Sequence, residues 1–143
     1  MAVIRRSALV RLPSTAMFDL VNDVTGYARR FEWCESSEVL AASESEMLAR
    51  LQLRIAGVSA TFSTRNALLR PERIELALEE GPFRQLRGLW TFSELSDEAC
   101  KVALEMDFEP AGRLVGSALA LGFERVADRM VDDFCRVAMK EAR

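Results

Sequence analysis

From residue 36 to residue 108 apolar and polar side chains alternate along the chain, and each interruption is two to five residues of turn chemistry. A repeat of two is the signature of a strand with one buried face, and such short links admit only hairpins. Leu48 to Ile55 sets Ala49, Leu51, Leu53 and Ile55 against Arg50, Gln52 and Arg54. Further strands are expected at Ser36–Ala42, Val58–Leu69, Ile74–Glu79, residues 84–95 and Cys100–Phe108. Between them lie Ser-Glu-Ser-Glu at 43–46, Gly57, Arg70-Pro71-Glu72, Glu80-Gly81-Pro82 and Ser96-Asp97-Glu98. Six strands joined this way form an antiparallel meander with one apolar face.

Two flanking segments complete the outline. Residues 2–12 also alternate, with Ile4, Ala8, Val10 and Leu12 on one side and Arg6 as the exception. Pro13 ends that strand, and Ser14 or Thr15 is placed to cap a short helix over 15–23. A second short turn carries Tyr27, Arg29, Arg30 and Phe31. At the other end, residues 113–140 contain no proline, and Val115, Leu119, Phe123, Val126, Met130, Phe134 and Val137 recur every three or four residues. That is a helical stripe. A helix of this span is about 40 Å long, a match for a ten-residue strand of about 33 Å. The predicted class is α+β, in the order β-α-α-β-β-β-β-β-β-α, with residues 1–143 as a single domain. Glu109 and Arg113 flank the expected helix start and are placed to help cap it.

Composition removes several chemistries. The chain has no histidine, so a Ser-His or Cys-His couple cannot form. Cys34, Cys100 and Cys135 are too few and too scattered for an all-thiolate zinc site, and are expected to be free, buried and inert. A net charge of −3 argues against nucleic-acid binding through overall charge, and DNA is not an expected partner. Arg5, Arg6 and Arg11 with Arg29 and Arg30 offer a candidate local basic patch; solvated faces balanced by neighbouring Glu are the plainer reading. The opening residues lack the apolar core of a signal peptide, so the expected location is the cytoplasm.

Three segments carry a resemblance. Residues 24–39, VTGYARRFEWCESSEV, hold a Val, Tyr, Phe, Trp-Cys pattern, with Ala28 and Glu32 where proline is common. Residues 81–95, GPFRQLRGLWTFSEL, give Gly-Pro-Phe followed by spaced Leu, Gly, Trp, Phe and Leu. Residues 108–138 contribute Phe108, Glu109, Phe123, Met130, Val131 and Phe134. Together they resemble the START-like helix-grip superfamily, and within it the branch of coenzyme-Q-binding proteins and ribosome association toxins, also labelled polyketide cyclase/dehydrase. The resemblance implies a seven-stranded antiparallel sheet wrapped around a long C-terminal helix. It implies an apolar internal cavity for a prenylquinone such as ubiquinone, or another lipid, and no metal or resident cofactor.

A quinone or lipid carrier supporting respiration is therefore the expected function, with transient contact at the inner membrane surface. A toxin-like protein that binds the large ribosomal subunit and blocks subunit association is the alternative. The expected cavity wall is Leu51, Leu53, Phe62, Trp90, Phe92 and Met106 from the sheet, with Leu119 and Phe123 from the helix. Tyr27 is expected at the cavity mouth with its hydroxyl wet, and Phe31 and Trp33 beside it as lid or wall. Gly88 leaves a notch beside Trp90 that could hold a flat quinone head or could be backbone packing. An enzyme is not expected: only Thr64, Arg65 and Asn66 are candidates for polar groups inside the cavity.

Overall fold

A computed structural model describes residues 2–55 and 57–142. The strands are β1 (Ala2–Val10), β2 (Cys34–Ala42), β3 (Glu46–Ile55), β4 (Val58–Leu69), β5 (Arg73–Glu80), β6 (Phe83–Ser96) and β7 (Ala99–Pro110). The helices are α1 (Ser14–Asn22), α2 (Tyr27–Arg30) and α3 (Ala118–Glu141). All seven strands form one antiparallel sheet in the order β1-β7-β6-β5-β4-β3-β2. The expected class and element order hold.

The alternation seen in the sequence becomes burial. On β7, Cys100, Val102, Leu104, Met106 and Phe108 are buried and Lys101, Glu105 and Asp107 are exposed. β1 and β2 are the sheet edges. β2 is interrupted by register shifts between Cys34 and Ser36 and between Val39 and Ala41. α3 lies against the apolar face, packing on β1 and also touching β7, β3 and α1.

Arg6, the odd member of the inward side of β1, has a specific destination. Its guanidinium donates two hydrogen bonds to Asp128 on α3, at 2.7 and 2.8 Å. An arginine in this position ties an edge strand to the helix that covers it, and the bidentate geometry fixes their relative placement.

The helix termini differ from the expectation. Neither Ser14 nor Thr15 caps α1; Pro13 holds the cap position, and its carbonyl accepts from Ala16 and Met17 at 3.0 and 3.3 Å. α3 begins at Ala118, five residues later than the stripe suggests. Gly112–Leu114 form a 3-10 turn, Gly116 takes a φ of 76°, and only then does Ser117 accept from the Ala120 amide at 3.1 Å. Glu109 and Arg113 therefore do not cap the helix. Val115 lies outside it and is 67% exposed, so it does not belong to the buried stripe.

Two contacts seat α3. Near its start, a Cβ on Gly122 would come within 2.1 Å of Ile55 Cγ2, so the helix backbone rests directly on the end of β3. Near its finish, Arg30 donates to Asp23 at 2.6 Å and to Glu141 at 2.7 and 3.1 Å, binding α2 to the last turn. The Arg30 guanidinium holds both carboxyls below their ordinary values of 3.8 and 4.5.

Gly122→Ala is expected to lower stability. Overpacking costs about 1–3 kcal/mol, against roughly 1 kcal/mol gained in helix propensity. In an Ile55→Ala background the same change should become stabilising, because the obstructing methyl is gone. Urea denaturation of the four proteins in this cycle checks the reversal.

The Arg30 clamp gives a pH signature. Carboxyls with lowered folded pKa values contribute stability above their unfolded values and lose it as pH falls through the folded ones. Arg30→Met should thus cost on the order of 1 kcal/mol at about pH 7, and progressively less as pH falls through the lowered carboxyl values. Denaturation midpoints of parent and variant should converge as pH is lowered; a constant difference would mean that the clamp acts through packing alone.

Candidate functional site

Between the sheet and α3 lies an apolar cavity of about 60 Å³. Its walls include Leu51, Phe62, Leu76, Leu86, Trp90 and Met106 from the sheet and Phe123, Met130 and Phe134 from α3. Val21, Val24 and Tyr27 close it from the α1–α2 side. Two groups of rings hold the sheet and the helix apart around it. In one, Phe123 meets Phe62, Phe83 and Phe108 with centroids 5.9, 4.8 and 4.8 Å away. In the other, Phe134 meets Trp90, Tyr27 and Phe31 at 5.3, 5.3 and 4.6 Å. The cavity lies between the two groups.

Of the residues singled out from the sequence, Tyr27, Leu51, Phe62, Trp90, Met106 and Phe123 share this cavity. Leu53 and Leu119 line a separate pocket of about 20 Å³ beyond Phe123. Phe92 is core, stacked on Trp90 at 6.2 Å and edge-on to Phe18 at 5.7 Å. Phe31 and Trp33 stack on each other at 4.8 Å and line an external groove instead.

Two expectations about individual residues fail. The Tyr27 hydroxyl is not wet: it is buried, donates to the Val21 carbonyl, and desolvation pushes its pKa well above the ordinary tyrosine value. The notch at Gly88 is not open. Leu76, its partner across the β5–β6 ladder, fills it, and a Cβ on Gly88 would sit 3.1 Å from Leu76 Cδ1. The small residue there serves packing.

The cavity has one polar corner. Thr64 and Asn66 are both buried on its wall, and the Thr64 hydroxyl donates to Asn66 Oδ1 at 2.7 Å. Asn22, at the end of α1, also borders the cavity, and its buried Oδ1 has no hydrogen-bond partner. Thr64 and Asn66 face inward with Phe62, as expected. Arg65, the third inward candidate, does not: strand alternation turns it outward, where it pairs with Glu46 at 2.5 Å and Glu79 at 3.2 Å. Asn22 was missed, since nothing at a helix end distinguishes a solvated amide from a buried one.

The thiols are free. Burial raises the pKa of Cys34 and Cys100, and that of Cys135 to about 11, which leaves them as thiols and weak nucleophiles. Glu105 and Asp107 lie exposed on the outer face of β7. Among the described residues no group of three potential metal ligands converges, and no helix is long and apolar enough to cross a membrane.

Members of the candidate basic patch are partly committed, and Arg11 and Arg29 are exposed. Arg6 is taken by Asp128 and Arg30 by Asp23 and Glu141, while Arg5 stands opposite Glu105 in the β1–β7 ladder.

Comparison with known proteins matches this geometry to a family. The chain is 46% identical over 135 residues to a ribosome association toxin RatA of Pseudomonas aeruginosa, covering 94% of each. It is 40% identical over 138 residues to the RatA of Vibrio cholerae, covering 96% of each. A mitochondrial coenzyme Q-binding protein coq10 of Schizosaccharomyces pombe is 26% identical over 140 residues, covering 94% of this chain and 85% of that one. Among solved structures, the Zhui aromatase/cyclase of Streptomyces sp. R1128 superposes with a TM-score of 0.84 at 23% identity, covering 99% and 96% of the two chains. A START superfamily protein of Mycobacterium smegmatis gives 0.71 at 17% identity, covering 94% and 98%. These two likenesses establish the fold. The family described as polyketide cyclase/dehydrase and lipid transport matches residues 10–135, and the chain belongs to it.

Proposed function

We propose that this protein associates with the ribosome, binding the large subunit and interfering with subunit joining. The observation that carries this reading is end-to-end similarity, at 46% and 40% identity, to proteins named ribosome association toxins. The cavity supports it indirectly. Sites for organic ligands usually enclose roughly 300–1,000 Å³, and the space here is about 60 Å³. This small volume favours an activity carried by the outer surface.

Purified protein is expected to co-sediment with isolated large subunits and not with small subunits. Added before the two are mixed, it should reduce the yield of joined ribosomes in proportion to its concentration. Sucrose-gradient profiles measure both. Absence from the large-subunit fraction at low salt would overturn the reading.

The polar corner of the cavity favours a second reading, that of an apolar ligand with a hydrogen-bonding end. Thr64, Asn66 and the unpartnered Asn22 Oδ1 would meet its polar end, and Trp90 and Phe123 its apolar body. A prenylquinone has this chemistry, and holding it needs more internal space than the cavity provides. In a Trp33→Phe variant, where Trp90 is the remaining tryptophan, a short-tailed prenylquinone is expected to quench fluorescence saturably near one-to-one. Quenching that rises linearly without saturation would rule this out.

A further inference from the structure

An open groove of about 670 Å³ runs between α3 and the segment from Arg30 to Trp33. It is lined by Arg30, Arg54, Arg125, Arg129, Arg136 and Lys140, with Glu32 and Asp133 as its acids. On α3 the polar positions 125, 129, 133, 136 and 140 follow one another at steps of three or four, so they form one stripe along the helix. From Arg125 to Lys140 the stripe is about 22 Å long at 1.5 Å per residue.

The charges in this groove are unevenly committed. Arg30 and Arg54 are held by Asp23, Glu141 and Glu35. Asp133, the buried acid at the centre, is satisfied within the protein: it accepts from Trp33 Nε1 at 3.1 Å and from Arg136 at 3.1 Å. Arg125, Arg129 and Lys140 are exposed and have no ion pair among the described residues. Half-buried Trp33 stands against the stripe, one face on Phe31, with Val126 and Val137 adding apolar surface.

A row of uncommitted cations beside an aromatic ring is the arrangement that suits unpaired nucleic acid. The cations meet successive phosphates, and the ring offers a surface for a base. The chain's overall charge of −3 adds direction, since repulsion elsewhere favours approach through this face.

We infer that this groove is the surface that contacts ribosomal RNA. Arg125, Arg129 and Lys140 lie along the backbone of a single strand or loop, and Trp33 lies under an unpaired base. The inference rests on the ribosome-association reading and adds to it the face and the kind of partner.

The test compares the parent, Arg125→Glu/Arg129→Glu, and Arg87→Glu/Lys101→Glu. The last pair makes the same charge change at exposed residues of β6 and β7 outside the groove. Each is measured for co-sedimentation with purified large subunits, and for filter binding to protein-free RNA extracted from those subunits, across a salt series. The groove variant is expected to bind both about tenfold or more weakly, with a salt dependence shallower by one to two phosphate contacts, and the control to match the parent. If the groove variant binds subunits like the parent, the face is wrong and ribosome association stands. If it loses subunit binding but the parent does not bind protein-free RNA, the partner is a ribosomal protein and the RNA assignment falls. If the parent fails to bind subunits, the functional reading falls, and the RNA arm alone decides whether the groove binds RNA.

Discussion

A seven-stranded sheet with one apolar face must cover that face, and among the described elements α3 is the one long enough to do so. At 24 residues it is about 36 Å long, comparable to the longest strands beneath it. Its placement is set by contacts of different kinds: backbone against Ile55 near its start, Arg6–Asp128 along its length and Arg30–Glu141 at its finish. Rings between these points fix how far the helix stands from the sheet. The cavity follows from that spacing, and so does the outward presentation of the helix's cationic stripe.

The same helix therefore has two faces with separate roles. Its inner face, through Phe123, Met130 and Phe134, borders an apolar space with three polar side chains on its wall. Its outer face carries Arg125 and Arg129, which have no ion pair among the described residues. Asp133 joins the two layers, because a buried carboxylate that accepts from Trp33 and Arg136 fixes the ring at the groove wall while remaining part of the packed helix. An unpaired acid at that depth would be costly, so the ring and the carboxylate hold each other in place.

Most of the fold was legible because strand alternation and helical spacing are one-dimensional records of burial. Alternation also turns Arg65 outward between Thr64 and Asn66, although all three were expected as inward polar candidates. What was not legible depends on neighbours far along the chain. The filling of the Gly88 notch needs the β5–β6 register that brings Leu76 opposite. The fate of Arg6 and Arg30 needs Asp128 and Glu141, more than a hundred residues away. The late start of α3 was signalled by Gly112, Gly116 and Ser117, but the longer-range apolar stripe ran through them. The cationic groove combines residues 30–33, 54 and 125–140, and no local window contains that combination.

The interruptions in β2 bear on how such a sheet coexists with its own copies. A sheet that is not closed has two free rows of amides and carbonyls, and a second chain can extend such a row. On β2 the two register shifts leave only Ser36 to Val39 as an uninterrupted run. Four residues of regular ladder give an approaching strand few bonds before its pleat falls out of step. At this edge, the irregular strand offers a neighbouring copy little regular ladder to extend.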